Sequence, residues 1–250
     1  MNRRIFNTMA ALGIGAAAPP AFSQTPSRSQ IKPLPGSLKE KMHKGEPIRT
    51  ATVPVESTRE EIERIISENG KVDLFSVDGQ HRPLPDERDL ARFCKLTEEL
   101  GAGVQLRIPH ARWAYMTGRY ADLGVLAILV PFVEEAETAD EAIDSFYYAP
   151  FGNRSWGGDY RYGQKPPVDR LKYAKWWNGT GMLGFQIETL RAALNVRKIV
   201  KPGVDWISWG PADMSFDIER HSHSPFKTLE EAHAFVVEQL KGFDVRVPQP

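Results

Sequence analysis

Polar side chains follow directly on four apolar runs of this sequence, and their types suit chemistry. The run "VDLFSVDGQH" ends in Asp78 and His81, and "GVQLRIP" carries Arg107 near its end. "MLGFQIE" delivers Gln186 and Glu188, and "VDWISWG" leads into Gly210-Pro211-Ala212-Asp213. Two carboxylates on neighbouring strands, Glu188 and Asp213, repel each other unless a cation lies between them. An oxygen-preferring divalent ion answers that need: Mg²⁺ or Mn²⁺, with Co²⁺ also admissible, its shell completed by water or ligand oxygens. Zinc suits the set less, because no cysteine and at most one histidine lie nearby. An imidazole exchanges protons near neutral pH, so His81 is a candidate general base with Asp78 to orient it. Arg107, at the end of an apolar strand, requires an anionic partner, either a bound carboxylate or Glu188. Plainer readings stay open on spacing alone: Asp78 to His81 as an ordinary turn, Asp213 as a cap, Glu188 paired with Arg191.

The elements that would position these residues alternate along the chain. "IRTATVPV" (48–55), "VDLFSVD" (72–78), "GVQLRIP" (103–109), "VLAILVPFV" (125–133), "MLGFQIE" (182–188) and "VDWISWG" (204–210) read as strands. "FDVRV" (243–247) is a possible seventh. Between them lie helical patterns. Thr58 with Glu61, Thr138 with Glu141, and Thr228 with Glu231 have the spacing of capping boxes. Leu90, Phe93, Cys94, Thr97 and Leu100 share one helical face that Gly101 ends. A helix is expected over 113–123 and another over 190–200, the latter closed by Pro202-Gly203. The stretch from Ala149 to Pro167, rich in glycine, tyrosine and tryptophan, reads as a long loop with a structural role, the alternatives being a lid or a subunit contact. Apolar strands alternating with amphipathic helices imply a parallel sheet with helices on its outside. At this length the expected fold is α/β, a TIM-type (β/α)8 barrel, whose chemistry sits at the C-terminal ends of its strands. A doubly wound open sheet is the alternative, but no Gly-rich phosphate loop follows the first strand.

Composition narrows the setting. The chain has 250 residues, 41% hydrophobic and 26% charged, enough for one domain with a sizeable core. Lys+Arg and Asp+Glu are equal at 32, so no nucleic-acid partner is indicated. The single Cys94 excludes an intrachain disulfide. Arg3-Arg4, the apolar run 9–18 and the small residues through Ser23 form a secretory signal of twin-arginine type, so an exported, periplasmic protein is expected. Removing residues 1–23 takes away two arginines and no acidic residue, moving the formal charge from +0 to −2. The apolar run is too short to span a bilayer stably. Residues 24–35 read as a flexible leader and 36–250 as the barrel domain. His221 and His223 lie in the polar loop "RHSHSP"; His43, His110 and His233 read as surface or helix-face residues.

In order along the chain, "GSLKEKMHKGEPI", "VDGQH", "LRIP", "LGVLAILVPFVEEAETADEA", "YYAPFGNRSWG", "FQIET" and "GPADMS" resemble the HpcH/HpaI aldolase family, the metal-dependent class II pyruvate aldolases, over roughly residues 36–216. The resemblance implies a carbon–carbon lyase that cleaves or forms 4-hydroxy-2-oxo acids via a pyruvate enolate. On it, Glu188 and Asp213 look like metal ligands, with Gln186 beside the metal. Arg107 looks like the residue that binds the keto oxygen and stabilises the enolate. His81 with Asp78 looks like the base acting on the substrate hydroxyl. The backbone N–H groups of Ala212 and Asp213 would hold the pyruvate carboxylate. Asp122, in "ADLG", matches a residue lent to a neighbouring subunit's site, which implies a homo-oligomer.

The sequence also departs from the family. Gln80 stands where a glutamate is usual, which removes a charge beside the base. The family usually runs on through an eighth strand and a C-terminal helix exchanged between subunits, so a C-terminally shortened barrel is expected here. Two other functions stay open: a non-catalytic relative that binds small oxo acids, and an acyl-CoA lyase of the citrate lyase β-subunit or malyl-CoA type.

Overall fold

The computed structural model of the chain describes residues 31–83 and 85–249. The expected export signal and residues 24–30 of the leader lie outside the described residues. Residues 31–35 are docked: Ile31 is buried, and the Leu34 N–H donates to the Gly179 carbonyl at 2.7 Å. Among the described residues no helix is long and apolar enough to cross a membrane.

Six strands form one parallel sheet in chain order: β1 (Thr50–Ala51), β2 (Leu74–Asp78), β3 (Gly103–Arg107), β4 (Ala127–Val130), β5 (Met182–Ile187) and β6 (Trp206–Trp209). The helices are α1 (Leu38–His43), α2 (Arg59–Asn69), α3 (Glu87–Glu99), α4 (Thr117–Asp122), α5 (Ala136–Phe146), α6 (Arg170–Thr180), α7 (Leu190–Ile199), α8 (Pro211–Arg220) and α9 (Leu229–Gln239). The strand order never reverses. Right-handed crossovers that always step the same way put all the helices on one face. A doubly wound sheet requires a reversal, so that alternative falls.

The sheet is strongly curled. Laid flat, β1 and β6 would be about 24 Å apart at ~4.8 Å per strand. Yet Thr52, just past β1, and Ser208 of β6 line one cavity of about 340 Å³. The described strands thus form a partial α/β barrel. On its outer side, the Phe75 ring meets Phe93 of α3 edge-on at 6.0 Å. Alternate positions of the same strand, Ser76 and Asp78, line the cavity instead. β4 and β5 are buried at every position, as expected for strands covered on both faces.

Several elements differ from the sequence expectation. β1 shrinks to two residues, because Pro54 has no N–H to continue the ladder. The expected helix over 113–123 is a 3₁₀ turn (Ala111–Met116) running into α4. Thr138 does not cap α5. The helix starts three residues earlier than such a cap implies, at Ala136, with Glu135 at the N-cap position and no side-chain cap. Tertiary bonds set that start: Glu134 accepts from Thr189 Oγ1 and from Asn195 Nδ2. By contrast, Thr58 and Glu61 form a complete capping box on α2, and Thr228 caps α9. The possible seventh strand is a single parallel bridge, Trp206 with Arg246, strengthened where Trp209 Nε1 donates to the Pro248 carbonyl. α6 and α8 have no counterpart in the sequence expectation; α6 buries Tyr173 and its C-terminal end, Trp177 to Thr180.

The N-terminal ends of the strands carry a polar tie. Lys39 of α1 is buried, and its Nζ lies 3.1 Å from Asp205 Oδ1, just before β6. It also donates to Tyr147 Oη at 2.8 Å and to the Gly181 carbonyl at 3.0 Å. His43 Nε2 meets the same Asp205 oxygen at 2.9 Å. This network joins α1, β5 and β6 at the end of the barrel opposite the cavity.

Candidate active site

The cavity at the C-terminal ends of the strands is polar. β2 contributes Ser76 and Asp78, and β3 contributes Gln105 and Arg107. β4 adds Leu129, β5 adds Gln186, and β6 adds Ser208 and Trp209. Strand pairing explains the convergence. Asp78 pairs with Arg107 in register, Arg107 with Leu129, and Gln186 with Ser208.

Asp78 and Arg107 form the centre. Arg107 Nε donates to Asp78 Oδ1 at 2.9 Å, and Nη2 donates to Oδ2 at 2.6 Å, a bidentate pair. Arg107 Nη1 reaches Gln186 Oε1 at 3.3 Å. Asp78 Oδ1 also accepts the backbone N–H groups of Gln80 and His81. Burial pushes the Asp78 carboxyl up, but Arg107 and these N–H groups outweigh it and leave it below its ordinary value. Arg107 thus finds its anion in Asp78, not in Glu188. Asp78 holds Arg107 and the following turn, and not the imidazole of His81. The His81 ring is exposed and has no hydrogen-bond partner among the described residues.

Glu188, two residues past Gln186 at the end of β5, is fully buried. Its Oε1 accepts the Phe132 N–H at 2.8 Å, while its Oε2 has no partner. Phe132 adopts a φ of 50°, a conformation that non-glycine residues rarely take and that clusters at functional sites. The Glu188 carboxyl is raised to about 7, first by burial and further by the neighbouring Asp213 carboxylate, against the pull of the Phe132 N–H and Arg107. Arg191, the partner that spacing allowed, pairs with Glu135 instead. Asp213 sits in the first turn of α8, next to Ala212. The first N–H groups of a helix have no partner within it and face whatever binds there. Gly210 makes this proximity possible. A Cβ on Gly210 would come within 2.3 Å of Glu188 Cβ and 2.9 Å of Gln186 Nε2.

Phe132 is a site residue with no role in the sequence reading, and Gly210, placed there at the end of the sixth strand, had none either. The fourth strand offered it no polar side chain, because its contribution is a backbone N–H. Gly210 carried a weak signal, lying between a strand and a proline.

Glu188 and Asp213 suit a divalent cation. A buried carboxylate with an orphaned oxygen beside a second carboxylate is the arrangement that such an ion relieves. Among the described residues no group of three or more His, Cys, Asp or Glu side chains could hold a metal, so waters or substrate would fill the remaining positions.

Asp122 lies elsewhere. It ends α4, accepts from Arg154 Nη2 at 2.6 Å, and lines a larger groove of about 850 Å³ beside α3. Burial raises its carboxyl, and Arg154 opposes the shift. That groove collects none of the strand-end residues, so the smaller cavity is the better candidate for chemistry.

Residues 57–247 match the family model described as HpcH/HpaI aldolase/citrate lyase. The chain is 32% identical over 151 residues to the 2-dehydro-3,6-dideoxy-6-sulfogluconate aldolase of Pseudomonas putida, covering 57% of this chain and 55% of that one. It is 30% identical over 149 residues to the hydroxypyruvate/pyruvate aldolase of Roseobacter denitrificans, covering 59% and 57%. The chain thus spans about half the length of the curated relatives it matches. Among solved structures, an HpcH/HpaI aldolase from Desulfitobacterium hafniense superposes with a TM-score of 0.71 at 26% identity, covering 84% of this chain and 80% of the other.

Proposed function

Because the chain belongs to the HpcH/HpaI aldolase/citrate lyase family, we propose that it is a metal-dependent carbon–carbon lyase. On this reading it cleaves or forms 4-hydroxy-2-oxo acids through a pyruvate enolate. The observation that carries the proposal is the convergence of Asp78, Arg107 and Gln186 on one cavity, with Glu188 packed beside Gln186 at Gly210 and Asp213 neighbouring Glu188.

Glu188 and Asp213 would hold Mg²⁺, Mn²⁺ or Co²⁺, which when bound supplies Lewis-acid charge to the substrate's oxygens. Arg107 is aimed by Asp78, and its Nη1, held only by a long contact to Gln186, would donate to the developing enolate oxygen. The N–H groups of Ala212 and Asp213 donate to the substrate carboxylate at the start of α8. His81 removes the proton from the C4 hydroxyl. The C3–C4 bond then breaks, its electron pair passes to the enolate, and the C4 half leaves as an aldehyde or oxo acid. Protonation at C3 completes pyruvate.

Two further parts of the proposal rest on the resemblance. Asp122 does not line this chain's cavity, so a role in binding substrate has it facing the cavity of a second copy in a homo-oligomer. An eight-strand barrel would need strands beyond those described here.

The decisive experiment measures pyruvate release from a panel of 4-hydroxy-2-oxo acids with Mg²⁺ or Mn²⁺, then with EDTA. Release that chelator abolishes and Glu188→Ala lacks is the expected result. No release from the folded chain, or full activity in Glu188→Ala, overturns the proposal.

A further inference from the structure

The N–H that orients Glu188 comes from a strained residue. Phe132 holds a φ of 50°, and in that conformation its N–H lies 2.8 Å from Glu188 Oε1. A non-glycine residue keeps such a backbone only where its surroundings over-determine it. The Phe132 side chain is half-buried against the core, and among the described residues its one aromatic partner is His110. The two rings are stacked, with centroids 6.2 Å apart and planes within 15° of parallel.

His110 is itself fixed by its own surroundings. It lies just past β3, where the Ile108 N–H donates to the Leu129 carbonyl at 3.0 Å and ties this segment to β4. Its backbone is extended, and its carbonyl accepts the Trp113 N–H at 2.9 Å. Its Nδ1 accepts the Arg112 N–H at 3.0 Å, which caps the 3₁₀ turn and sets the tilt of the ring. One face of a ring so held lies against Phe132. The stacking energy of an aromatic pair is on the same scale as the strain of one such backbone, so the contact is large enough to matter.

Resting on the reading of Glu188 as a metal ligand, we propose that His110 is a positioning residue. Its ring holds the strained Phe132 backbone, and the Phe132 N–H in turn engages Glu188 Oε1. Glu188 Oε2, which has no partner, is thereby left for the cation. His110 acts through Phe132 alone, and it acts by its flat ring rather than by its Nδ1.

Two substitutions separate ring from cap. His110→Asn keeps an acceptor for the Arg112 N–H and removes the ring. His110→Phe keeps a ring and removes the acceptor. Both are checked for fold by circular dichroism. Hydrogen exchange of the Phe132 amide reports its bond to Glu188 with no metal present. It is read by NMR on chain labelled with ¹⁵N-phenylalanine, the Phe132 signal being the one absent from Phe132→Leu. Exchange should be about three- to tenfold faster in His110→Asn, the loss of one aromatic stack, and within about twofold of wild type in His110→Phe. Mn²⁺ affinity, read by the electron paramagnetic resonance signal of free Mn²⁺, should weaken in His110→Asn and be retained in His110→Phe. Unchanged exchange in His110→Asn overturns the inference, as does equal acceleration in both variants, which would assign the role to the cap. A wild type that binds no Mn²⁺ but shows ring-dependent exchange keeps the positioning role and removes the metal reading. Mn²⁺ binding with ring-independent exchange does the reverse.

Discussion

Asp78 and Arg107 stand opposite each other in the β2–β3 register and are joined by two hydrogen bonds of 2.9 and 2.6 Å. Strand pairing therefore aims the arginine before any ligand arrives. Lysine cannot reproduce this bidentate geometry. Arg107→Lys should lower kcat for pyruvate release by about a hundredfold or more, the cost of losing one oriented donor at a developing oxyanion. Asp78→Asn should show a smaller loss, because the arginine keeps its charge but loses its aim. Steady-state kinetics of both variants checks the order.

Glu188→Gln keeps the shape of the side chain and removes its charge. If Glu188 is a ligand, Mn²⁺ affinity should fall tenfold or more, read by the electron paramagnetic resonance signal of free Mn²⁺. The Phe132 N–H can still donate to the amide oxygen, so the fold should persist. Unchanged Mn²⁺ affinity would remove Glu188 from the ligand set.

Gly210 has no room for a side chain. A Cβ would lie 2.3 Å from Glu188 Cβ and 2.6 Å from its Oε2. Gly210→Ala should push Glu188 aside, destabilise the chain by about 1–3 kcal/mol, the cost of overpacking, and weaken Mn²⁺ binding together with activity. Denaturant titration and Mn²⁺ titration read the two effects separately.

The tie at the opposite end of the barrel sets a pH dependence of stability. The hydrogen bond to Asp205 raises the His43 imidazole above its ordinary 6.5, although burial opposes it and Asp244 assists. Burial pushes Asp205 up, but Lys39 and His43 outweigh it and hold Asp205 below its ordinary 3.8. A raised histidine stabilises the fold fully below pH 6.5, and its contribution is lost as pH rises through its folded value. A lowered aspartate stabilises above pH 3.8 and fails as pH falls through its folded value. The melting-temperature gap between wild type and His43→Gln should therefore be widest between about pH 4 and 6.5 and shrink as pH rises above that range. A gap independent of pH would show that His43 acts by packing alone.

Residues 1–23 lie outside the described structure, and the export reading stands as a proposal. Replacing both Arg3 and Arg4 by lysine should strand the chain inside the cell if the twin-arginine route carries it. Immunoblots of periplasmic and cytoplasmic fractions read this directly.

What the sequence by itself determined is local. The Thr58–Glu61 box, the Thr228 cap and the apolar face of Leu90, Phe93, Cys94 and Thr97 act within a few residues, so their types and spacing suffice. The alternation of strands and helices, and the polar residues at strand ends, were legible for the same reason. Tertiary structure decided the partners. Asp78 and Arg107 are 29 residues apart, and Glu188 and the Phe132 N–H are 56 apart. Which groups meet at such separations depends on strand register and sheet curl, which no local pattern encodes. For that reason Asp78 turned out to hold Arg107 rather than the His81 ring, and Thr138 lost its cap to bonds made by Glu134.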